Sequence, residues 1–285
     1  MTEALTASQS NDTASIVSSL AAVTNLAALL NDPAAAASAS VDGLRLSLLQ
    51  LVANVTSTVV GAASSNMTSA AVDGITTSLA ALSYSAAPLS AADAMLALVT
   101  LTQVLSVNAS LISSDSLANV ATAASALAAT ASVGSLTLNV LGAVAASPQL
   151  NIATAGIVGT GLVALLAAPM VPPVATQMQG MGVVAALAAT LNGAAAAAGA
   201  DAVRDSLLTL VASTAASAGG APVLLDGVIA AATALVNASG LQVNVPPATP
   251  LALQAPTVNA CCKASMPPCS RPESSAPRAW PTVQP

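Results

Sequence analysis

An alphabet of alanine and leucine, broken at intervals by proline, leaves this chain little choice but the α-helix. Alanine and leucine are the strongest helix formers, and the aromatic residues that favour strands are nearly absent. There is no Phe, one Trp and one Tyr in 285 residues. The breaks are local. Asn31-Asp32-Pro33, Ala87-Pro88, Ser147-Pro148, Pro169, Pro172-Pro173 and Pro222 each interrupt an apolar run, because proline drives the residue before it out of the helical region. The resulting all-α chain is predicted to hold about eight to ten Ala/Leu-rich helices of roughly 15–25 residues. They pack as stacked helical hairpins or as a bundle. Leu48, Leu49, Val52 and Val55 recur at helical spacing and form an apolar stripe.

The acidic residues fall near the helix beginnings. Asp42, Asp73, Asp93, Asp115, Asp201 and Asp226 each precede an apolar run. A carboxylate there accepts from the free N–H groups of the first turn and meets the positive end of the helix dipole. Calcium binding would require several closely spaced carboxylates, and these are isolated along the chain. They are therefore read as helix starts.

Two stretches match. Asp42-Gly43-Leu44-Arg45-Leu46-Ser47-Leu48-Leu49-Gln50-Leu51-Val52-Ala53 aligns with Asp201-Ala202-Val203-Arg204-Asp205-Ser206-Leu207-Leu208-Thr209-Leu210-Val211-Ala212. Each continues to a second Asp-Gly, at Asp73-Gly74 and Asp226-Gly227. Residues 42–85 and 201–238 are thus predicted to be copies of one helical hairpin inside an array covering 14–240. The spacing of Asp42 to Arg45, and of Asp201 to Arg204, puts each pair on one helical face. They are the natural intrahelical ion pairs, worth only tenths of a kcal/mol where exposed.

Chemistry-bearing residues are scarce. Only 6% of residues are charged, His is absent, and the single Lys is Lys263. Both Glu, Glu3 and Glu273, lie near the termini. General acid–base catalysis and activated Ser or Cys nucleophiles need a base beside the reacting group, and none is in sight. No zinc-ligand spacing or phosphate-binding Gly loop occurs. No catalytic, cofactor or metal residue is therefore assigned, and the chain is read as non-enzymatic. A net charge of −6 also argues against nucleic acid, which requires clustered Lys and Arg.

No charged residue occurs from Ser116 to Ala200. Within that stretch Ile152 to Ala168 and Met181 to Leu191 approach the ~20 apolar residues of a membrane span. They are Ala/Gly-rich, have no aromatic belt and no flanking Lys or Arg, and are divided by Pro169, Pro172 and Pro173. An array packed on itself is the first expectation, and a small-residue membrane bundle is the alternative.

The ends differ from the middle. Residues 1–13 are expected to be flexible, and their opening, Met1-Thr2-Glu3-Ala4-Leu5, lacks the basic and apolar regions of a secretory leader. From Leu241 the helical pattern gives way to Pro, Ser and Thr, with all three Cys (Cys261, Cys262, Cys269) and Trp280. Residues 241–285 are expected to be a disordered Pro/Ser/Cys tail. Asn54, Asn66, Asn108 and Asn237, with Asn11, match the Asn-x-Ser/Thr pattern of N-glycosylation acceptors. That pattern fits an extracellular segment whose leader lies upstream.

The alternating helices of residues 48–141, with starts such as Pro88-Leu89-Ser90-Ala91-Ala92-Asp93-Ala94, resemble the helical stretch of receptor-for-egg-jelly and GAIN-type regions in large polycystin-like membrane proteins. The resemblance is one of texture and spans residues 14–240. The autoproteolysis motif and Cys/Trp pairs of a GAIN region are missing. It implies a fragment of a cell-surface protein with a scaffold role, no self-cleavage, and as partner either another protein or the remainder of a larger chain. An intracellular helical adaptor is the further alternative.

Overall fold

The computed structural model describes residues 13–31, 39–61, 67–84, 89–167, 172–193, 199–217 and 221–238. All lie in one compact unit, Met1–Val243. The predicted tail, the three Cys and the predicted flexible residues ahead of Thr13 fall outside the described residues.

Among the described residues there are ten α-helices and no strand. They are α1 (Thr13–Leu30), α2 (Ala39–Gly61), α3 (Ser69–Ser83), α4 (Ala91–Leu105), α5 (Ser114–Leu127), α6 (Gly134–Ala145), α7 (Ile152–Leu166), α8 (Val174–Gly193), α9 (Ala200–Ser217) and α10 (Pro222–Ala238). Short 3-10 turns at Ala109–Leu111 and Ala131–Val133 precede α5 and α6. The expectation of an all-α chain of Ala/Leu-rich helices holds.

The starts are set by small polar side chains. Thr68, Ser90, Ser113 and Asn151 cap α3, α4, α5 and α7, each accepting from the amide three residues on. Ser90 also donates to Asp93 across the first turn, at 2.8 Å. Asp42, Asp115 and Asp201 likewise stand in the first turns of α2, α5 and α9. Pro222 is itself the first residue of α10, where its missing N–H would have no partner in any case. Gly199, just before α9, has φ +89°, a conformation other residues rarely adopt.

The helices alternate between two layers. Every extensive helix–helix contact among the described residues joins helices one or two apart in the chain. The odd helices, α1, α3, α5, α7 and α9, form one layer, and the even helices form the other. Within a layer neighbours run parallel. Leu20 of α1 meets Gly74 of α3, Thr24 bonds Ser78 at 3.0 Å, and Asn31 donates to the Ala81 carbonyl at 2.7 Å. These contacts advance in step along both helices. This is a stack of helical hairpins rather than a closed bundle.

The core between the layers is Leu, Val, Ile and Ala without an aromatic ring. Small residues let helices approach closely. Gly161 of α7 leaves no room for a Cβ against Ser125 and Leu141. Buried Thr56, Thr100, Thr137 and Thr214 donate to the carbonyl four residues back. That internal bond lets a hydroxyl enter the core without a tertiary partner.

Candidate functional site

The polar groups that sequence reading singled out come together at three kinds of place: helix ends, the seams between neighbouring helices, and the exposed surface.

Arg45 and Arg204 lie at helix ends. Both form the expected bridges, Arg45 to Asp42 at 3.6 Å and Arg204 to Asp201 at 2.5 Å. Neither is a fully exposed surface pair, however. The carboxylates are largely exposed, but Arg45 and Arg204 are 1% and 4% exposed. Each guanidinium reaches back to the end of the preceding helix. Arg45 donates to the Leu30 carbonyl at 3.3 Å and to Asn31 Oδ1 at 3.4 Å. Arg204 donates to the Leu191 carbonyl at 2.8 Å. A cation at a helix C-terminus satisfies carbonyls that have no partner within the helix, and it meets the negative end of the dipole.

The sequence held two signals for this. Arg45 falls on the buried stripe Val41, Leu48, Val52, Val55, and Arg204 on Ala200, Leu207, Val211, Thr214. The match also extends upstream, from Leu26-Ala27-Ala28-Leu29-Leu30-Asn31 to Leu187-Ala188-Ala189-Thr190-Leu191-Asn192. The two arginines therefore bond carbonyls at corresponding positions. The matched hairpins stand seven helices apart, so α2 lies in the even layer and α9 in the odd.

Asp73 belongs to a seam. It is not a helix start, because α3 is capped by Thr68 and Asp73 sits in its second turn. It accepts from Ser113 Oγ at 2.7 Å and from Ser116 Oγ, both at the beginning of α5. Asn119 of α5 bonds Thr77 Oγ1 at 3.0 Å alongside. The carboxylate thus serves the amino end of a neighbouring helix instead of its own. Asp226 also falls inside its helix, α10, and is exposed; Pro222 starts that helix. Farther along the odd layer, Ser125 of α5 donates to the Ile157 carbonyl of α7 at 3.0 Å. In the even layer Gln179 of α8 bonds Asn139 of α6 at 2.5 Å, over a shallow groove floored by Gly142, Gly182 and Val183.

At the surface, both cations among the described residues are buried, so the exposed charge there is carboxylate: Asp42, Asp115, Asp201, Asp205 and Asp226. Of the glycosylation candidates, Asn54 is exposed on α2, while Thr56 of its motif is buried. Asn108 is exposed at the start of the 3-10 turn and accepts from the Ser110 amide at 3.0 Å. Asn237 lies in the last turn of α10, and its side chain is outside the described residues, as is all of Asn66. No group of three or more His, Cys, Asp or Glu able to hold a metal occurs among the described residues.

Among the described residues, three helices, Thr13–Leu30, Val41–Gly61 and Val174–Asn192, are by length and composition long and apolar enough to cross a membrane. The run from Ile152 is shorter, a 15-residue helix of about 22 Å against a ~30 Å hydrocarbon core. No protein-family model, no curated protein and no solved structure matches the chain.

Proposed function

We propose that the chain is a non-enzymatic structural or interaction segment, a two-layer helical scaffold belonging to a larger polycystin-like protein of the cell surface. The observation that carries the scaffold reading is the use to which the polar groups are put. Arg45, Arg204, Asp73, Ser78 and Asn31 all bond the ends or the neighbours of helices. Groups engaged in this way position helices; none is paired as nucleophile and base. What faces solvent is mostly Ala, Ser, Thr and Asn with scattered carboxylates. That surface is suited to contact with protein rather than with phosphate.

The cell-surface location rests on the family resemblance and on the glycosylation motifs. Asn108 supports it by its position, exposed at a turn. The test is secretion of the chain behind a leader from a eukaryotic host, followed by peptide mass analysis. Glycan is expected on Asn108 and Asn54. Secreted protein bare at every motif would remove the extracellular reading and leave the scaffold.

The three long apolar helices favour a second reading, association with a membrane. Against full insertion, one of them carries Arg45, and the others pack on shorter helices, α1 on the 15-residue α3 and α8 on the 12-residue α6. Carbonate extraction separates the two readings. Release into the supernatant is expected of the scaffold, whereas retention in the pellet would favour the bundle.

A further inference from the structure

We propose that Asn192, at the carboxyl end of α8, is a site of spontaneous covalent modification, where the side-chain amide is lost to attack by the Gly193 backbone nitrogen. Asn192-Gly193 is the one Asn-Gly pair in the chain. Glycine has no Cβ to crowd the approach to its nitrogen, and its backbone turns most freely. Asn192 is exposed and lies in the last turn of α8. Reaction requires it to leave helical dihedrals so that Cγ comes over the Gly193 nitrogen. A helix interior resists that movement, whereas a terminal turn opens at little cost in free energy.

The step balances with water alone. The Gly193 nitrogen gives its proton to hydroxide and bonds to Cγ of Asn192. The Cγ–Nδ2 bond breaks, and Nδ2 takes a proton from water and leaves as ammonia. The cyclic imide that results is opened by water at either carbonyl. One opening gives aspartate. The other gives isoaspartate, whose main chain runs through the side-chain carbons and is longer by one methylene.

The matched hairpin supplies the contrast. Asn31, at the end of α1, corresponds to Asn192. Its Nδ2 donates to the Ala81 carbonyl at 2.7 Å, and its Oδ1 accepts from Arg45 at 3.4 Å. Both ends of that amide are held, and the residue after it is Asp32. Arg204 instead bonds the Leu191 carbonyl and Asp201. Among the described residues, none bonds the Asn192 side chain. Exposed Asn25 lies within α1 and precedes the bulkier Leu26.

The change falls beside a contact that fixes α9. Leu191, whose carbonyl Arg204 grips, is joined directly to Asn192. Isoaspartate there lengthens the main chain next to that carbonyl, and either product adds a carboxylate at the negative end of the α8 dipole. The Arg204 contact is thus perishable, whereas its Arg45 counterpart is chemically fixed. This needs only the geometry of the two helix ends, so it stands or falls separately from the cell-surface location.

Incubation of the full chain in mildly alkaline buffer, followed by peptide mass analysis, provides the test. The exchange of NH for O is assigned to a residue by its fragment masses. Asn192 is expected to convert about tenfold faster than Asn31 or Asn25, or more, with aspartate and isoaspartate both formed. Gly193→Ala is expected to suppress the conversion with helical circular dichroism unchanged. Asp32→Gly gives Asn31 the same following residue, yet Asn31, held by Ala81 and Arg45, should still lag Asn192 by about tenfold. Conversion of Asn192 no faster than Asn25 would overturn the proposal. So would a Gly193→Ala chain that converts like the wild type, or an Asp32→Gly chain in which Asn31 keeps pace with Asn192.

Discussion

A guanidinium sealed from water needs acceptors, and the terminal nitrogens of Arg45 and Arg204 find theirs at the ends of the helices before them, while each Nε bonds nothing. Spacing alone placed each arginine beside its aspartate, and the apolar stripe put it on the inward side, but neither said which acceptors it would meet there. That depends on the long-range docking of α1 on α2 and of α8 on α9. Replacing Arg45 by Met fills much of the space but leaves the Leu30 carbonyl and Asn31 without their donor. Arg45→Met is expected to lower stability by about 1–3 kcal/mol, the cost of an unsatisfied buried acceptor. Asp42→Asn is expected to cost less than ~1 kcal/mol, as that carboxylate is mostly exposed and its bridge is long. The shorter bridge at Arg204 predicts a larger loss for Asp201→Asn than for Asp42→Asn. Urea midpoints followed by circular dichroism at 222 nm would give the order, and equal losses at the two aspartates would contradict it.

At the level of helices, the breaks were readable because proline acts locally. α1 ends at Leu30 ahead of Pro33, and α8 begins at Val174 directly after Pro172-Pro173. Asp42, Asp93, Asp115 and Asp201 were also readable as first-turn residues. Asp73 and Asp226 were not: each reads as a start from the apolar run behind it, yet each stands in the second turn of a helix that begins earlier, at Ser69 and at Pro222. The reason for Gly74 is tertiary: it lies against Leu20 of α1. Tightness at such seams differs from glycine to glycine. A Cβ on Gly161 would stand 2.5 Å from Ser125 Oγ and 3.2 Å from Leu141 Cδ1, whereas one on Gly43 would meet nothing within 4 Å. Gly161→Ala is therefore expected to destabilise by about 1–3 kcal/mol through overpacking. Gly43→Ala is expected to stabilise by roughly 0.5–1 kcal/mol through helix propensity. Opposite shifts in thermal midpoint would bear this out, and a shared direction would count against the packing described.

Over the whole molecule, stability follows the direction of stacking. α5 and α6 have same-layer neighbours on both sides, while α1 has one on a single side. In such an array local opening spreads from the ends. Amide exchange is expected to be fastest in α1 and slowest in α5 and α6. Uniform protection across all the helices would instead indicate one indivisible unit. Stacking could be anticipated from the repeated hairpin and the short links, but its alternation of layers could not, because that arises from which apolar stripes face each other. The ring-free core has one more consequence. Tyr84 is the only aromatic side chain among the described residues, and it stands 69% exposed at the end of α3. Ultraviolet absorbance and fluorescence are therefore nearly blind to the folded array. The melting of the described helices is therefore followed through the peptide backbone itself.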